Sequence, residues 1–297
     1  MATTSATARH WIAGARPRTL PAAVAPVLVG TAVASYDDQA VWWKALLALL
    51  VSLALQVGVN YANDYSDGIR GTDDERVGPL RLVGSGLATP AAVKRAAFLA
   101  FGVAALAGLV LAATTSWWLV ALGAVSVLAA WYYTGGSKPY GYLGLGEVMV
   151  FVFFGLVATV GTTWVQTEDW GTTGWASVAA GTGVGALACA ILVANNLRDI
   201  PTDRVAGKIT LAVRLGERRT RVFYAVLVAL SALAVLALAV LTTWWALLGL
   251  GFLLPAAAAT RIVLGGAQGP ALIPVLQRTG IAELLWAALA GLGLLLG

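Results

Sequence analysis

Long apolar runs, each close to the length of a membrane-spanning helix, dominate this 297-residue chain. A helix needs about 20 apolar residues to cross roughly 30 Å of hydrocarbon. Only 11% of the residues are charged, whereas soluble domains carry about 25%. No alternation of apolar and polar residues typical of a membrane β-barrel is present. The sequence therefore predicts an all-α integral membrane protein.

Glycines, prolines and charges divide the chain into nine apolar runs, which predict a nine-transmembrane-helix bundle. The whole chain, residues 1–297, forms one predicted domain with possible tandem halves at about 19–134 and 144–263. In parallel repeats of this kind the substrate site commonly lies at the interface between the halves. The predicted helices lie near residues 19–35, 42–63, 94–113, 117–134, 144–164, 174–196, 221–241, 244–263 and 279–296.

Lysines and arginines fall almost entirely on one side of this bundle. If successive helices alternate in direction, Lys44 is the one member of the 19 basic residues on the side opposite the N-terminus. Basic loops stay in the cytoplasm, so we predict an N-terminus inside, a C-terminus outside and a cytoplasmic polar cap. The location predicted is the inner (cytoplasmic) membrane of a bacterial cell. The spread of these charges over several loops argues against a nucleic-acid site, which would need one dense patch.

Two acidic segments repeat one another at the cytoplasmic ends of the second and sixth predicted helices. Residues 60–67 read Asn-Tyr-Ala-Asn-Asp-Tyr-Ser-Asp, and residues 195–203 read Asn-Asn-Leu-Arg-Asp-Ile-Pro-Thr-Asp. Spacings of three and four residues place two carboxylates on one helical face. Carboxylates at a membrane edge are costly and therefore indicate a functional site. The four aspartates are Asp64, Asp67, Asp199 and Asp203.

Two such segments facing one cavity predict a site for Mg²⁺ and a diphosphate. Mg²⁺ is usually held by one or two carboxylates together with waters and substrate phosphate oxygens. Basic side chains near the segments would neutralise the charge of a diphosphate leaving group, and aromatic faces such as Tyr65 and Tyr133 can stabilise a cation. The simpler alternative is that the aspartates cap helix ends and that the other side chains are interfacial. The basic candidates are Arg70, Arg81, Lys138, Arg198 and Lys208.

These segments resemble the UbiA-type intramembrane prenyltransferases, and within them the branch that prenylates 1,4-dihydroxy-2-naphthoate in menaquinone synthesis. In residues 63–73, Gly71 stands where the hydroxybenzoate branch has a further aspartate, and a later Asp73 follows, as in the naphthoate branch. The similarity extends over most of the chain and is densest in the predicted cytoplasmic loops. The other similar stretches are residues 16–21, 76–86, 133–139, 144–147 and 195–211.

The resemblance implies a helical bundle around a central cavity that opens laterally to lipid, Mg²⁺ as cofactor, and a polyprenyl diphosphate donor. It implies transfer of the polyprenyl group to 1,4-dihydroxy-2-naphthoate with loss of diphosphate and CO₂, giving demethylmenaquinol. The four aspartates would bind metal and diphosphate, with Asn63 assisting. Asp67, Asp199, Lys138 and Lys208 would be catalytic, whereas Arg70 and Arg198 would hold phosphate or the acceptor carboxylate. Glu147 would orient Lys138 or the acceptor.

Two other functions fit the same pattern. A sister prenyltransferase could use a different aromatic or lipid acceptor with the same diphosphate site. A cation-coupled secondary transporter could use paired carboxylates to bind its ion, as intramembrane carboxylates often do. The aspartates here lie at helix ends beside basic loops, which favours binding of an anion and a metal over cation transit.

Overall fold

The computed structural model describes residues 6–71 and 80–297, and all regular structure in those ranges is helical. Residues 72–79, which include Asp73 and Arg76, lie outside the described residues. The α-helices are α1 (Ala8–Ala15), α2 (Pro21–Tyr36), α3 (Trp42–Ile69), α4 (Pro90–Thr114), α5 (Trp118–Tyr132), α6 (Gly146–Val150), α7 (Ala158–Thr167), α8 (Gly171–Val205), α9 (Leu211–Leu241), α10 (Leu253–Leu264) and α11 (Ile273–Leu296). A π-helix (Phe151–Val157) joins α6 to α7, and 3₁₀ segments (Pro17–Thr19, Tyr140–Leu143, Trp244–Phe252 and Gly269–Leu272) complete the set.

Seven helices of the described chain are long and apolar enough to cross a membrane. The pair Ala8–Thr19 and Pro21–Tyr36, bent by 51°, makes an eighth span if it is counted as one. The remaining predicted span, near 117–134, corresponds to α5, which has only 15 residues and is shorter than the typical membrane helix. The described helices therefore support seven or eight spans, and both nine spans and the orientation of the termini stay predictions.

Several predicted helix boundaries were too short at the end that carries the acidic segments. Helix α3 continues to Ile69 rather than 63, and α8 continues to Val205 rather than 196. The sequence-based boundaries stopped where polar residues began, but polar side chains that face an internal cavity do not require a helix to end. A further helix, α1, begins at Ala8, well before the first predicted helix near residue 19.

Capping residues fix two helix starts near the acidic segments. The Thr89 hydroxyl accepts a hydrogen bond from the backbone amide of Ala92, and Pro90 occupies the first turn of α4. The Thr210 hydroxyl likewise accepts from the amide of Val213 at the start of α9. Threonine before the first turn and proline in it are favoured at helix N-termini, so these local choices define where the connecting loops end.

Helix α8 lies at the centre of the main core and packs closely on the π-helix. A Cβ added at Gly155 would lie 2.6 Å from both the Gly181 carbonyl oxygen and the Gly185 Cα, and one at Gly183 would lie 2.3 Å from the Trp286 ring. Small residues let helix backbones approach in a membrane. The glycine-rich run of α8 therefore serves helix packing rather than phosphate binding.

Helix α5 differs from α8 because it has no buried residue. It packs against α3 and α4, and its first residue, Trp118, meets Trp164 of α7 with ring centroids 4.9 Å apart. Exposed tryptophans also occur at this end of α3 (Trp42) and before α10 (Trp244). We call this end of the bundle the tryptophan end, and the opposite end, which holds residues 60–67 and 195–203, the aspartate end.

Lys44 is the single basic residue that the sequence places at the tryptophan end. Its side chain is buried, and its Nζ forms a 2.8 Å salt bridge with Oε1 of Glu168, which follows α7. The bridge ties α3 to the connection between α7 and α8. It also balances the charge of Lys44 with a carboxylate at the same end of the bundle.

Candidate active site

One cavity of about 840 Å³ is lined by residues of both acidic segments. Its volume lies near the upper end of the range for small-molecule sites. Polar groups gather at the aspartate end, and the wall continues as apolar side chains from α3, α4, α5, α7 and the π-helix. The two repeated segments therefore face a common space. Their lining residues are Asn60, Asn63, Asp67, Asn195, Asn196, Arg198, Asp199 and Asp203.

Asp67 lies in the cavity wall between a hydroxyl group and two cations. Its Oδ1 accepts a hydrogen bond from the Tyr142 hydroxyl at 2.7 Å, and its Oδ2 lies 3.1 Å from Nη2 of Arg81. Nζ of Lys208 lies 3.6 Å from the same Oδ2. Only 2% of the Asp67 side chain is exposed, so these cations compensate a charge that would be costly to bury alone.

Asp199 is compensated by its own neighbour on α8. Nε of Arg198 lies 2.7 Å from Asp199 Oδ1, and Nη2 lies 2.8 Å from Oδ2, which makes the pair bidentate. The same Nη2 donates to Asn195 Oδ1 at 2.9 Å. Planar guanidinium–carboxylate pairing of this kind fixes orientation as well as charge. Asp203, one turn further along, also lines the cavity.

Asp64 does not line the cavity, although the sequence predicts it to be a metal ligand. Its Oδ2 accepts from the backbone amide of Leu82 at 2.7 Å, and its Oδ1 accepts from the amide of Val83 at 3.0 Å. The side chain is 1% exposed. Both oxygens therefore anchor the segment that precedes α4, and this geometry favours a structural role for Asp64 over metal binding.

Two of the five predicted basic residues lie away from the cavity wall. The Arg70 guanidinium donates to the backbone carbonyls of Thr134 and Gly136, and it lies 5.5 Å from the centroid of the Tyr142 ring. Lys138 is exposed in the connection between α5 and α6. The other three predicted basic residues line the cavity; they are Arg81, Arg198 and Lys208.

Of the remaining predicted residues, some line the cavity and others lie outside it. Tyr133 lines the cavity, whereas Tyr65 stacks on Trp131 outside it, with ring centroids 6.0 Å apart. Glu147 is buried, and its Oε1 accepts a hydrogen bond from Nδ2 of Asn196 at 3.0 Å. Glu147 therefore contacts a residue of the cavity wall, Asn196, and does not itself line the cavity.

The predicted site residues did not include several residues that line the cavity. Tyr142 lies between two cations, with Nζ of Lys208 4.6 Å from its ring centroid. The Tyr140 hydroxyl donates to the Ala129 carbonyl at 2.7 Å, and burial raises the pKa of this phenol, so it stays protonated. Arg16 and Arg18 also line the cavity. Their Arg-Pro-Arg spacing directly before an apolar run was the available signal.

The charge balance of the cavity favours an anion that arrives with cations. Arginine and lysine provide five lining side chains and aspartate provides three. Across residues 6–71 and 80–297, no three His, Cys, Asp or Glu side chains are close enough to hold an ion together. The oxygen donors present suit a hard cation such as Mg²⁺, which takes its remaining ligands from water and phosphate. The donor set therefore fits Mg²⁺ bound together with a diphosphate.

Comparison with known proteins points to one family. Residues 23–270 match the UbiA prenyltransferase family. The 1,4-dihydroxy-2-naphthoate octaprenyltransferase of Mycobacterium tuberculosis is 56% identical over 283 residues, covering 95% of this chain and 96% of that protein. The Escherichia coli protein of the same name is 40% identical over 303 residues, covering 96% of this chain and 95% of that protein.

Solved structures share the fold at low identity. The apo structure of a UbiA homologue from Aeropyrum pernix aligns with a TM-score of 0.69 and 14% identity, covering 98% of each chain. A UbiA homologue from Archaeoglobus fulgidus bound to GPP and Mg²⁺ aligns with a TM-score of 0.61 and 14% identity, covering 97% of this chain and 100% of that one. The helical architecture described above is therefore common to these proteins.

Proposed function

Because this chain belongs to the UbiA prenyltransferase family, we propose that it transfers a polyprenyl group from polyprenyl diphosphate to 1,4-dihydroxy-2-naphthoate. The products are diphosphate, CO₂ and demethylmenaquinol. The observation that carries this proposal is the single cavity in which both acidic segments and five basic side chains meet an apolar chamber. A polyprenyl diphosphate has a charged head and a long hydrocarbon tail, so its site needs both charged residues and an apolar chamber.

In this proposal the aspartate end holds the diphosphate. Asp67, Asp199 and Asp203 would bind Mg²⁺, which when bound supplies positive charge that stabilises the leaving diphosphate. Arg81 and Lys208 already lie beside Asp67 and are therefore placed to contact phosphate oxygens next to that carboxylate. Charge placed in advance where the leaving group develops its own charge lowers the barrier to breaking the allylic C–O bond.

Asn63 has a supporting part in this arrangement. Its Oδ1 accepts a hydrogen bond from the Thr134 hydroxyl at 2.7 Å, which ties α3 to the end of α5. The side-chain amide is thereby oriented along the cavity wall that Asn63 lines. We assign Arg70 to the same supporting group, since its contacts with the Thr134 and Gly136 carbonyls hold the same connection in place.

The aromatic side chains near the diphosphate site would receive the acceptor and protect the allylic cation. Tyr133, Tyr140 and Tyr142 all line the cavity, and aromatic faces attract cations. The electron-rich naphthoate ring attacks the allylic carbon, and the bond to the carboxyl group breaks with release of CO₂. An enclosed apolar chamber limits access of water, which would otherwise hydrolyse the cation.

The proposed location is a bacterial cytoplasmic membrane with the aspartate end facing the cytoplasm. The donor head and the acceptor carboxylate are soluble in water, whereas the isoprenoid tail is soluble in lipid. A site at one end of a membrane bundle gives each part of the substrate its preferred solvent. The basic residues gathered at the same end agree with this orientation through the positive-inside rule.

The decisive experiment is a transfer assay with purified protein in nanodiscs. Farnesyl or octaprenyl diphosphate is supplied with either 1,4-dihydroxy-2-naphthoate or 4-hydroxybenzoate, in Mg²⁺ or in EDTA, and products are identified by mass spectrometry. With 1,4-dihydroxy-2-naphthoate we expect a decarboxylated prenyl-naphthalenediol, and we expect it in Mg²⁺ but not in EDTA. Transfer only to hydroxybenzoate would instead identify a sister prenyltransferase. Ion flux across vesicles without prenyl transfer would identify a transporter.

A further inference from the structure

The cavity extends far beyond the space that a diphosphate and an aromatic acid need. On α3 its lining residues run from Ala48 to Asp67, a stretch of roughly 28 Å at the helical rise of about 1.5 Å per residue. On α8 the lining residues begin only at Ala188. The part near the tryptophan end is therefore lined mainly by α3, α4, α5 and α7, and its wall there is almost wholly apolar. We call this part the distal chamber.

Three glycines on three different helices line the cavity. They are Gly108 on α4, Gly123 on α5 and Gly161 on α7. A Cβ built on any of the three would meet no described atom within 4 Å. These positions therefore differ from Gly155 and Gly183, where a neighbouring backbone or ring excludes a side chain.

The positions along the helices place these glycines in the distal chamber. Gly123 follows Trp118 by about one turn and Gly161 precedes Trp164 by about one turn, and the two tryptophan rings meet at the tryptophan end. Gly108 shares its part of α4 with Leu111, which also lines the cavity. Glycine destabilises a helix interior relative to alanine, and no close neighbour requires it here. We therefore attribute the presence of glycine at these positions to the open space that it leaves in the cavity.

From this arrangement we propose that Gly108, Gly123 and Gly161 set the length of the isoprenoid chain that the protein accepts, by keeping the distal chamber open for the tail of a long polyprenyl diphosphate. This inference rests on the proposed function, because it concerns the donor of that reaction. A short donor fills the cavity only near the aspartates, whereas a long donor requires the distal chamber. Side chains at the three positions should therefore discriminate by length.

The test compares Gly108→Leu, Gly123→Leu and Gly161→Leu with the wild type, using farnesyl and octaprenyl diphosphate in competition for one acceptor. Gly102→Leu is the matched control, because Gly102 lies on α4, also has open space around a built Cβ, and does not line the cavity. We expect the ratio of kcat/KM for octaprenyl over farnesyl donor to fall by about tenfold or more in the lining variants. The ratio of the control should stay at the wild-type value.

Alanine variants at the same three positions guard against misfolding. Alanine favours a helix over glycine and adds only one carbon, so these proteins should fold and show a smaller shift in the same direction. Equal loss for both donors, or an unchanged ratio in lining variants that fold, would overturn the assignment of the glycines while leaving prenyl transfer intact. A wild type that transfers neither donor would overturn the proposed function and this inference together.

Discussion

The two acidic segments have similar sequences but balance their charges in different ways. Asp67 of the first segment is bound by Tyr142, Arg81 and Lys208, which come from three separate connections. Asp199 of the second segment is bound by Arg198, the residue directly before it on α8. Asp67 thus has counter-ions from separate parts of the chain, whereas Asp199 has one in the residue beside it on the same helix.

Because of this difference, we expect mutations in the two segments to have different effects, although the two sequences are similar. A change at Asp67 disturbs groups that come from several connections, whereas a change at Asp199 disturbs a pairing made within α8. The first segment also contains Asp64, whose carboxylate binds backbone amides instead of facing the cavity. Equivalent positions in a sequence repeat therefore need not have equivalent roles in the folded protein.

The largest effect is expected at Asp67. Replacement by asparagine keeps the size of the side chain but removes the charge around which Arg81 and Lys208 are arranged. We expect kcat to fall by about 10²–10³-fold, the usual cost of losing one electrostatic group at a reacting centre. Initial rates in nanodiscs measure this, and a near-normal rate would remove Asp67 from the proposed diphosphate site.

A smaller effect is expected from Arg198→Lys in the second segment. Lysine keeps the charge but cannot form the bidentate pair with Asp199 or reach Asn195 in the same plane. We expect KM for the prenyl diphosphate to rise about tenfold, the equivalent of one charge-assisted hydrogen bond. Titration of the donor at saturating acceptor measures it. A change as large as that of Asp67→Asn would contradict the expectation that the pairing within α8 contributes less to turnover than the charge of Asp67.

Asp64→Asn should lower stability more than activity. The amide retains one acceptor for the Leu82 and Val83 amides where the carboxylate offers two, so we expect unfolding to become easier by about 1–3 kcal/mol. Thermal unfolding in detergent measures the loss, and activity is compared for the folded fraction. A protein that melts normally but fails to turn over would restore the sequence-based assignment of Asp64 as a metal ligand.

The smallest effect is expected from Lys138→Ala, since this side chain is exposed and outside the cavity wall. The rate should change by no more than about twofold, as for most surface substitutions. Lys208→Ala is the matched comparison, because it removes the same kind of charge from a position 3.6 Å from Asp67. If the Lys138 variant lost more activity than the Lys208 variant, the exposed connection would have to contact substrate during turnover.

The sequence predicted the helical class and the convergence of the two acidic segments, because hydropathy and charge act on each span locally. It could not distinguish Asp64 from Asp67, since a spacing of three residues puts both on one face and only tertiary packing divides that face. It also grouped Arg70 and Lys138 with Lys208. Which lysine turns toward the cavity depends on loop geometry that no local pattern encodes.

Helix length is a second point at which local patterns were insufficient. The apolar runs predicted where α3 and α8 start within a few residues. Their ends were misplaced because the polar residues there face a cavity inside the protein. The position of Arg16 and Arg18 on the cavity wall was also not predicted, because the bend of 51° between Ala8–Thr19 and Pro21–Tyr36 is a tertiary feature.

The close contact of Gly155 with Gly181 and Gly185 has a mechanical consequence for the cavity. Backbones that touch without side chains between them cannot be compressed further, so the wall formed by the π-helix and α8 is stiff. Helix α5, with no buried residue, forms a compliant wall on the other side. If a larger substrate widens the cavity, we therefore expect α5 to move outward. The residues on the α8 side should keep their positions.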